Sequence, residues 1–270
     1  MSEYYPVSIL CLIAKVSRST YYASLTPQCT NNQDDILVKE VFFANNEKVG
    51  SRQIVLILKE QYGVIMNRKK VIRLMNKNNL ICKIRRKQKN NQRLSNEQYI
   101  KENILNREFN QQKPMNTACT DITYLYYNNK VCYLCAYIDA KTGVILAHKL
   151  SKELARTFVL DCTRDLLEKY SDIEILHSDR GPQYTSQDFQ DLTQEYKVVH
   201  SMSRPGNPLD NAVMESFWGH LKDYLDLKHC KTFEDVIDLV NKYVLIYNNR
   251  PQWNKNKLSP CRYRDFLLAA

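Results

Sequence analysis

The sequence predicts an α/β protein, a mixed five-stranded sheet flanked by helices, preceded by an α-helical region of helix-turn-helix type. Three observations predict it. The net charge of +10 comes wholly from residues 1–113, which hold 20 Lys and Arg against 9 Asp and Glu. That basic part shows helical periodicity only. From Thr117 onward, alternating β-branched and aromatic runs are separated by helical segments in the order β-β-β-α-β-α-β. With 270 residues and 44% hydrophobic content, the chain can bury one mid-sized core and a smaller one. A positive excess confined to one part points to a polyanion-binding arm joined to a domain with a different task.

Residues 1–27 read as a short helix-turn-helix-like segment, with two helices joined near Lys15–Ser17. Residues 34–82 read as a helical DNA-binding domain. Asp34–Asn45 forms its first helix, Ser51 caps a second that ends at Gly63, and Asn67 caps a third. On that last helix Val71, Ile72, Leu74 and Met75 alternate with Arg68, Lys69, Lys70, Arg73 and Lys77, a pattern suited to lying on DNA phosphates. Residues 83–113 read as a basic linker. Its run Lys83–Arg93 carries six cations, among them Arg85, Arg86 and Lys87, with no helical stripe.

Residues 114–270 read as the second domain with C-terminal helices. Thr120–Tyr127, Lys130–Ala140 and Gly143–Leu150 resemble an antiparallel meander with turns at Asn128-Asn129 and Thr142-Gly143. A helix over Glu153–Tyr170, a strand over Ile173–Leu176, a helix over Ser186–Lys197 and a strand over Val198–Met202 follow. This order is the ribonuclease H-like arrangement, with the fourth strand beside the first. After the loop Arg204–Pro208 a helix starts near Asp210-Asn211, and Thr232–Tyr247 forms another. The nine cysteines are scattered and odd in number, which suggests reduced thiols in a cytosolic protein. Cys132 and Cys135 lie in an apolar strand with no second pair nearby to complete a zinc site. No apolar run approaches the ~20 residues that span a bilayer.

Phosphodiester chemistry at a metal centre needs hard oxygen ligands on rigid elements. Topology supplies three: Asp121 on the first strand, Asp179 just past the fourth, and Glu215 about one turn into the helix after the fifth. Singly, each could be a strand-end, turn or first-turn helix acid; jointly, at these positions, they read as a metal-binding trio. Asp210 and Asn211 read as helix N-cap residues, Asp139 as structural, and His177 as a hydrogen-bonding residue of its loop. Phe217 and Trp218 read as core rather than base-stacking residues. Arg204 and Asn207 belong to a loop expected to order on DNA.

Thirty-five residues separate Asp179 from Glu215, and the flanking text is more specific than that spacing. Thr-Asp-Ile-Thr-Tyr at 120–124, His-Ser-Asp-Arg-Gly-Pro-Gln-Tyr-Thr-Ser at 177–186 and Ser-Met-Ser-Arg-Pro-Gly-Asn-Pro-Leu-Asp-Asn-Ala-Val-Met-Glu-Ser-Phe-Trp at 201–218 resemble the insertion sequence three transposase family, specifically its second-frame protein (OrfB). Asn67–Met75 and the tail Tyr247–Gln252 with Leu258-Ser259-Pro260 are similar to the same family, so the resemblance covers nearly the whole chain. Ala118 stands where the family often has tryptophan, and Pro182 where a small polar residue is common; neither position supplies a metal ligand.

The resemblance implies a retroviral-integrase-like DDE core that cuts element ends and joins their 3′-hydroxyls to target DNA. It implies two Mg²⁺ ions roughly 3.5–4 Å apart on Asp121, Asp179 and Glu215, Asp121 bridging, with Mn²⁺ as a substitute. Lys222, two helical turns past Glu215 on the same face, is placed to hold a phosphate. Double-stranded DNA (terminal inverted repeats and target), a homo-oligomer on DNA and an upstream-frame protein are the implied partners. The implied setting is the bacterial cytoplasm at the nucleoid, with no membrane. Two rivals remain open: a ribonuclease H-like nuclease that cleaves without joining, and a non-catalytic DNA-binding regulator of transposition.

Overall fold

A computed structural model describes residues 6–25, 32–83, 101–109, 113–205 and 208–270. The first helices are α1 (Val7–Ile13) and α2 (Arg18–Leu25), followed by α3 (Asn32–Ala44), α4 (Ser51–Tyr62) and α5 (Arg68–Lys77). The last three share a core of their own, in which Val38, Val41 and Phe42 meet Ile54, Ile57, Leu58, Val71 and Met75. Asn67 caps α5 by accepting the Lys69 N–H, and Gly63 ends α4 in the left-handed conformation that favours glycine. Ser51 does not cap α4: Gly50 holds the cap position, and the Ser51 hydroxyl accepts the Arg68 Nε–H at 3.3 Å instead. A cap must sit outside the helix, whereas Ser51 is already its first residue.

The sheet comprises β1 (Thr117–Tyr127), β2 (Lys130–Asp139), β3 (Ile145–Ser151), β4 (Ile175–Ser178) and β5 (Val199–Met202), in spatial order β3-β2-β1-β4-β5. The meander β1-β2-β3 is antiparallel, while β4 runs parallel to β1 and β5 parallel to β4. This is the mixed, ribonuclease H-like sheet that the element order predicts. Period-two alternation feeds both faces. Cys119, Leu125, Leu134, Ala136 and Ile138 point to α8 (Ala212–Tyr224) and α9 (Phe233–Asn249). Ala118, Cys135, Tyr137 and Leu176 point to α6 (Arg156–Lys169) and α7 (Gln187–Glu195). Thr232 and Asp235 form a capping box on α9, and α10 (Pro260–Leu268) closes the chain. Asp139 is structural, accepting the N–H groups of Met115 (3.1 Å) and Thr142 (2.8 Å). Cys132 and Cys135 are buried in β2.

The residues before β1 are less of a spacer than their composition suggests. Residues 101–109 form a strap across the outermost strand. The Met202 N–H donates to the Glu102 carbonyl (3.2 Å), and the Ile104 and Leu105 N–H groups donate to the Ser201 hydroxyl (3.0 and 3.3 Å). Leu105 is buried in the same core as α8 and α9. The helical module also meets the catalytic part: Lys48 donates to the Tyr224 carbonyl (3.0 Å), Gln53 to that of Pro251 (3.0 Å), and Arg262 pairs with Glu60 (3.0 Å). Among the described residues no helix is long and apolar enough to cross a membrane.

Candidate active site

The parallel pairing of β1 with β4 brings Asp121, in β1, and Asp179, one residue past β4, to one end of the sheet. Asp121 is half-buried; one carboxylate oxygen accepts its neighbour's N–H at Ile122 (2.8 Å), and the other accepts the indole N–H of Trp218 (2.8 Å). Burial, and then the charge of Asp179, push the Asp121 carboxyl up to about 7, with Glu215 adding to the rise. Burial also raises Asp179, against the Gly181 N–H that donates to it at 2.9 Å. Glycine at 181 suits that approach, because a Cβ there would stand 3.0 Å from the Asp179 carboxylate and press it aside. Glu215 is exposed in the first turn of α8, one helical turn before Trp218. Among the described residues no three His, Cys, Asp or Glu side chains are drawn together as a closed metal site.

The supporting groups are specific. Asn211 holds the N-cap position of α8, as expected, but its side chain makes no cap bond; its buried amide donates to the carbonyl of Thr120, the residue before Asp121, at 3.0 Å. This ties the start of the Glu215 helix to the Asp121 strand. Beneath them the buried Tyr184 hydroxyl lies 3.0 Å from that of Thr120. Ser178 donates to the Asp179 carbonyl (2.8 Å), and His200 Nε2 lies 2.9 Å from the same hydroxyl. His177 belongs to β4 rather than a loop, between the hydroxyls of Ser201 (Nδ1, 2.9 Å) and Ser203 (Nε2, 3.1 Å). Ser201 already accepts two backbone N–H bonds, so its own hydrogen goes to Nδ1, and the His177 proton sits on Nε2. Burial holds both imidazoles neutral, pushed down to about 4.

Asp210 departs furthest from expectation. Instead of capping a helix it is a fully buried carboxylate held well below the usual range, above all by Arg204 and also by Arg107. Arg204, expected on DNA, spends its guanidinium on Asp210 here. Lys222 lies half-buried on α8. On α5, Lys70 pairs with Asp34 and Lys77 with Asp35, bracing α5 against α3, while Arg68, Lys69 and Arg73 are exposed. Asn207, Arg85, Arg86 and Lys87 lie outside the described residues. Trp218, Asn211 and Tyr184 are the site residues that sequence reasoning missed. Only Trp218 carried a signal, three residues after Glu215 and hence beside it on a helix.

The exposed cations invite a test. Lys69→Ala with Arg73→Ala should lower the log–log salt dependence of end-DNA binding by roughly two, about 0.9 per phosphate contact. Lys70→Ala should leave that slope unchanged, because Lys70 is engaged by Asp34. Fluorescence anisotropy across a salt series reads both; equal slopes for all variants would remove α5 from the interface.

A mixed five-stranded sheet with carboxylates at one end, joined to a small helical module, defines an integrase core enzyme, and comparison with known proteins agrees. Residues 111–208 and 196–253 match integrase core domains, and residues 31–88 match an HTH-like domain. The chain is 31% identical to the putative transposase InsK for insertion sequence element IS150 of Escherichia coli (strain K12), over 98% of this chain and 95% of that one. It is 26% identical to transposase InsF for insertion sequence IS3A of the same organism, over 98% and 96%. The HTLV-2 integrase catalytic core domain, solved in complex with magnesium, covers 56% of this chain and 97% of its own at 17% identity and a TM-score of 0.47. The chain belongs to the insertion sequence three family of transposases, polynucleotidyl transferases with an integrase core.

Proposed function

We propose that Asp121, Asp179 and Glu215 form the catalytic centre of this transposase and hold two Mg²⁺ ions while insertion-sequence ends are cut and their 3′-hydroxyls joined to target DNA. The observation that carries the reading is electrostatic. Asp121 and Asp179 share one half-buried end of the sheet, each raised by burial and Asp121 further by its neighbours' charges. Such an oxygen-only donor set fits a hard dication, and Mn²⁺ would serve in its place. Bound there, the metal would supply Lewis acidity to the attacking and leaving oxygens of an in-line displacement. Asp121, fixed by Trp218 and the Ile122 N–H, presents its carboxylate in one orientation. Asp179 is aimed by the Gly181 N–H, and Glu215 is free to close on the pair from α8. No covalent protein–DNA intermediate is needed, so no Ser or Tyr nucleophile is assigned.

The exposed cations of α5 would lie on the terminal inverted repeats, Arg85, Arg86 and Lys87 would track phosphates without regard to sequence, and Lys222 would hold a phosphate beside the metals. Asn207 would join the DNA surface, while Arg204, proposed for the same loop, would keep its guanidinium on the buried Asp210. Division into reader (34–82), linker (83–113) and catalytic domain (114–270), a homo-oligomer on DNA, an upstream-frame partner and work at the nucleoid complete the reading. A strand-transfer assay with pre-cut end DNA and Mg²⁺ tests it: wild type makes joined products and Glu215→Gln makes none. Cleavage without joining by wild type would make the protein a nuclease, and binding without chemistry by both would make it a regulator.

A further inference from the structure

The strap at residues 101–109 reaches two of the three segments that carry the carboxylates. Through Ser201 it sets the hydrogen-bond partner of His177, two residues before Asp179. Through Asn103 and Arg107 it reaches Asp210, five residues before Glu215. The Asp210 side chain is 0% exposed, so water cannot solvate its charge, and its donors must. Arg204 supplies three of them, through its backbone N–H (3.0 Å), Nε (2.8 Å) and Nη2 (3.0 Å). Those bonds tie Asp210 back to the end of β5, where Ser203 donates to the Ser178 carbonyl (2.9 Å). The amide of Asn103 (2.8 Å) and Nε of Arg107 (2.6 Å) come from about a hundred residues away and add a second tether, from the strap. The turn Pro208–Asn211 that contains Asp210 runs directly into α8. Asn211 then ties the next position to the Thr120 carbonyl beside Asp121.

We propose that Asp210 is a positioning residue for Glu215, and that Arg107 docked on it makes the strap a member of the catalytic centre. The centre is competent only with the strap seated. This inference rests on the reading of Asp121, Asp179 and Glu215 as metal-binding carboxylates.

The test uses the full chain in a Trp253→Phe background, which leaves Trp218, bonded to Asp121, as the one fluorescent tryptophan of the two in the sequence. Mg²⁺ is titrated against that fluorescence, and end-DNA affinity is measured by anisotropy on the same samples. Arg107→Gln should raise the Mg²⁺ half-saturation about tenfold, the usual scale for a lost supporting contact, with DNA affinity kept within about twofold. Arg107→Lys, which restores the cation, should recover most of the loss. An unchanged Mg²⁺ response in Arg107→Gln, at whatever melting temperature, overturns the proposal. So does a fall in DNA affinity that matches the fall in joining, which would make Arg107 a phosphate contact. If Arg107→Gln fails to fold, Asn103→Ser, which removes one uncharged donor, is read by the same criteria. Glu215→Gln is the control: a wild-type Mg²⁺ response there overturns the underlying metal-site reading, not the strap's role.

Discussion

Asp121→Asn should stabilise the metal-free protein and at the same time cut strand transfer by roughly a thousandfold or more. The two effects have one cause. Asp121 is held near another carboxylate at a half-buried sheet end, which lifts its pKa to about 7 against ~3.9 for an unfolded aspartate. Because the folded pKa is the higher one, the stability linked to this proton is full below pH ~4 and is lost as pH rises through about 7. At pH 8 the folded protein therefore bears the cost of the charge, on the order of 1–3 kcal/mol after allowing for partial exposure. Asparagine is isosteric, carries no charge and keeps an oxygen for Trp218, giving up only the bond that Asp121 accepts from the Ile122 N–H. Melts in a chelating buffer should show the variant ahead by several degrees at pH 8 and level with wild type near pH 4. A thousandfold loss of joining corresponds to about 4 kcal/mol, reasonable for removing a carboxylate that would hold the catalytic metal. A variant that melts alongside wild type at both pH values would defeat the electrostatic account.

Trp218→Phe should spare the fold and weaken the site. Trp218 is 7% exposed and packs on Phe217 with ring centroids 5.0 Å apart, so alanine would cost about 3–5 kcal/mol and report only unfolding. Phenylalanine keeps most of that contact and removes the N–H that holds Asp121. The freed carboxylate gains rotamers and loses its fixed aim. Joining should then need about 10–100-fold more Mg²⁺, with the melting temperature lowered by only a few degrees. Strand transfer measured across a Mg²⁺ series decides it, and wild-type metal dependence in the variant would show that the indole only fills space.

These two residues mark where the sequence was legible and where it was not. Asp121 could be found because a carboxylate inside a β-rich run is locally anomalous, and because the strand order puts it next to the end of β4. The sheet was legible for a similar reason, since period-two alternation is a short-range signal. Asn211 takes the N-cap position that an asparagine at a helix start favours, but its side-chain partner, the Thr120 carbonyl, lies 91 positions away and leaves no local signal. Asp210 is not a cap at all, and its partners Asn103 and Arg107 stand more than a hundred residues back. The strap is mostly polar and carries no periodicity, and the partners that hold it (Ser201, Met202 and Asp210) stand about a hundred residues away, which leaves no trace in residue order. Lys70 and Lys77 looked free because their acidic partners stand on another helix.

The strap over β5 also bears on how the protein behaves in solution. A strand at the rim of a sheet is a template for any other strand that meets it, and its N–H and C=O groups invite pairing between copies. Here Met202 is already paired with Glu102, and Leu105 seals the rim by burying its side chain. A fragment that starts after residue 109 bares this rim and strips two donors from a buried anion in one cut. Such a piece should self-associate and scatter light where the full chain does not, although the segment it lacks looks the most dispensable.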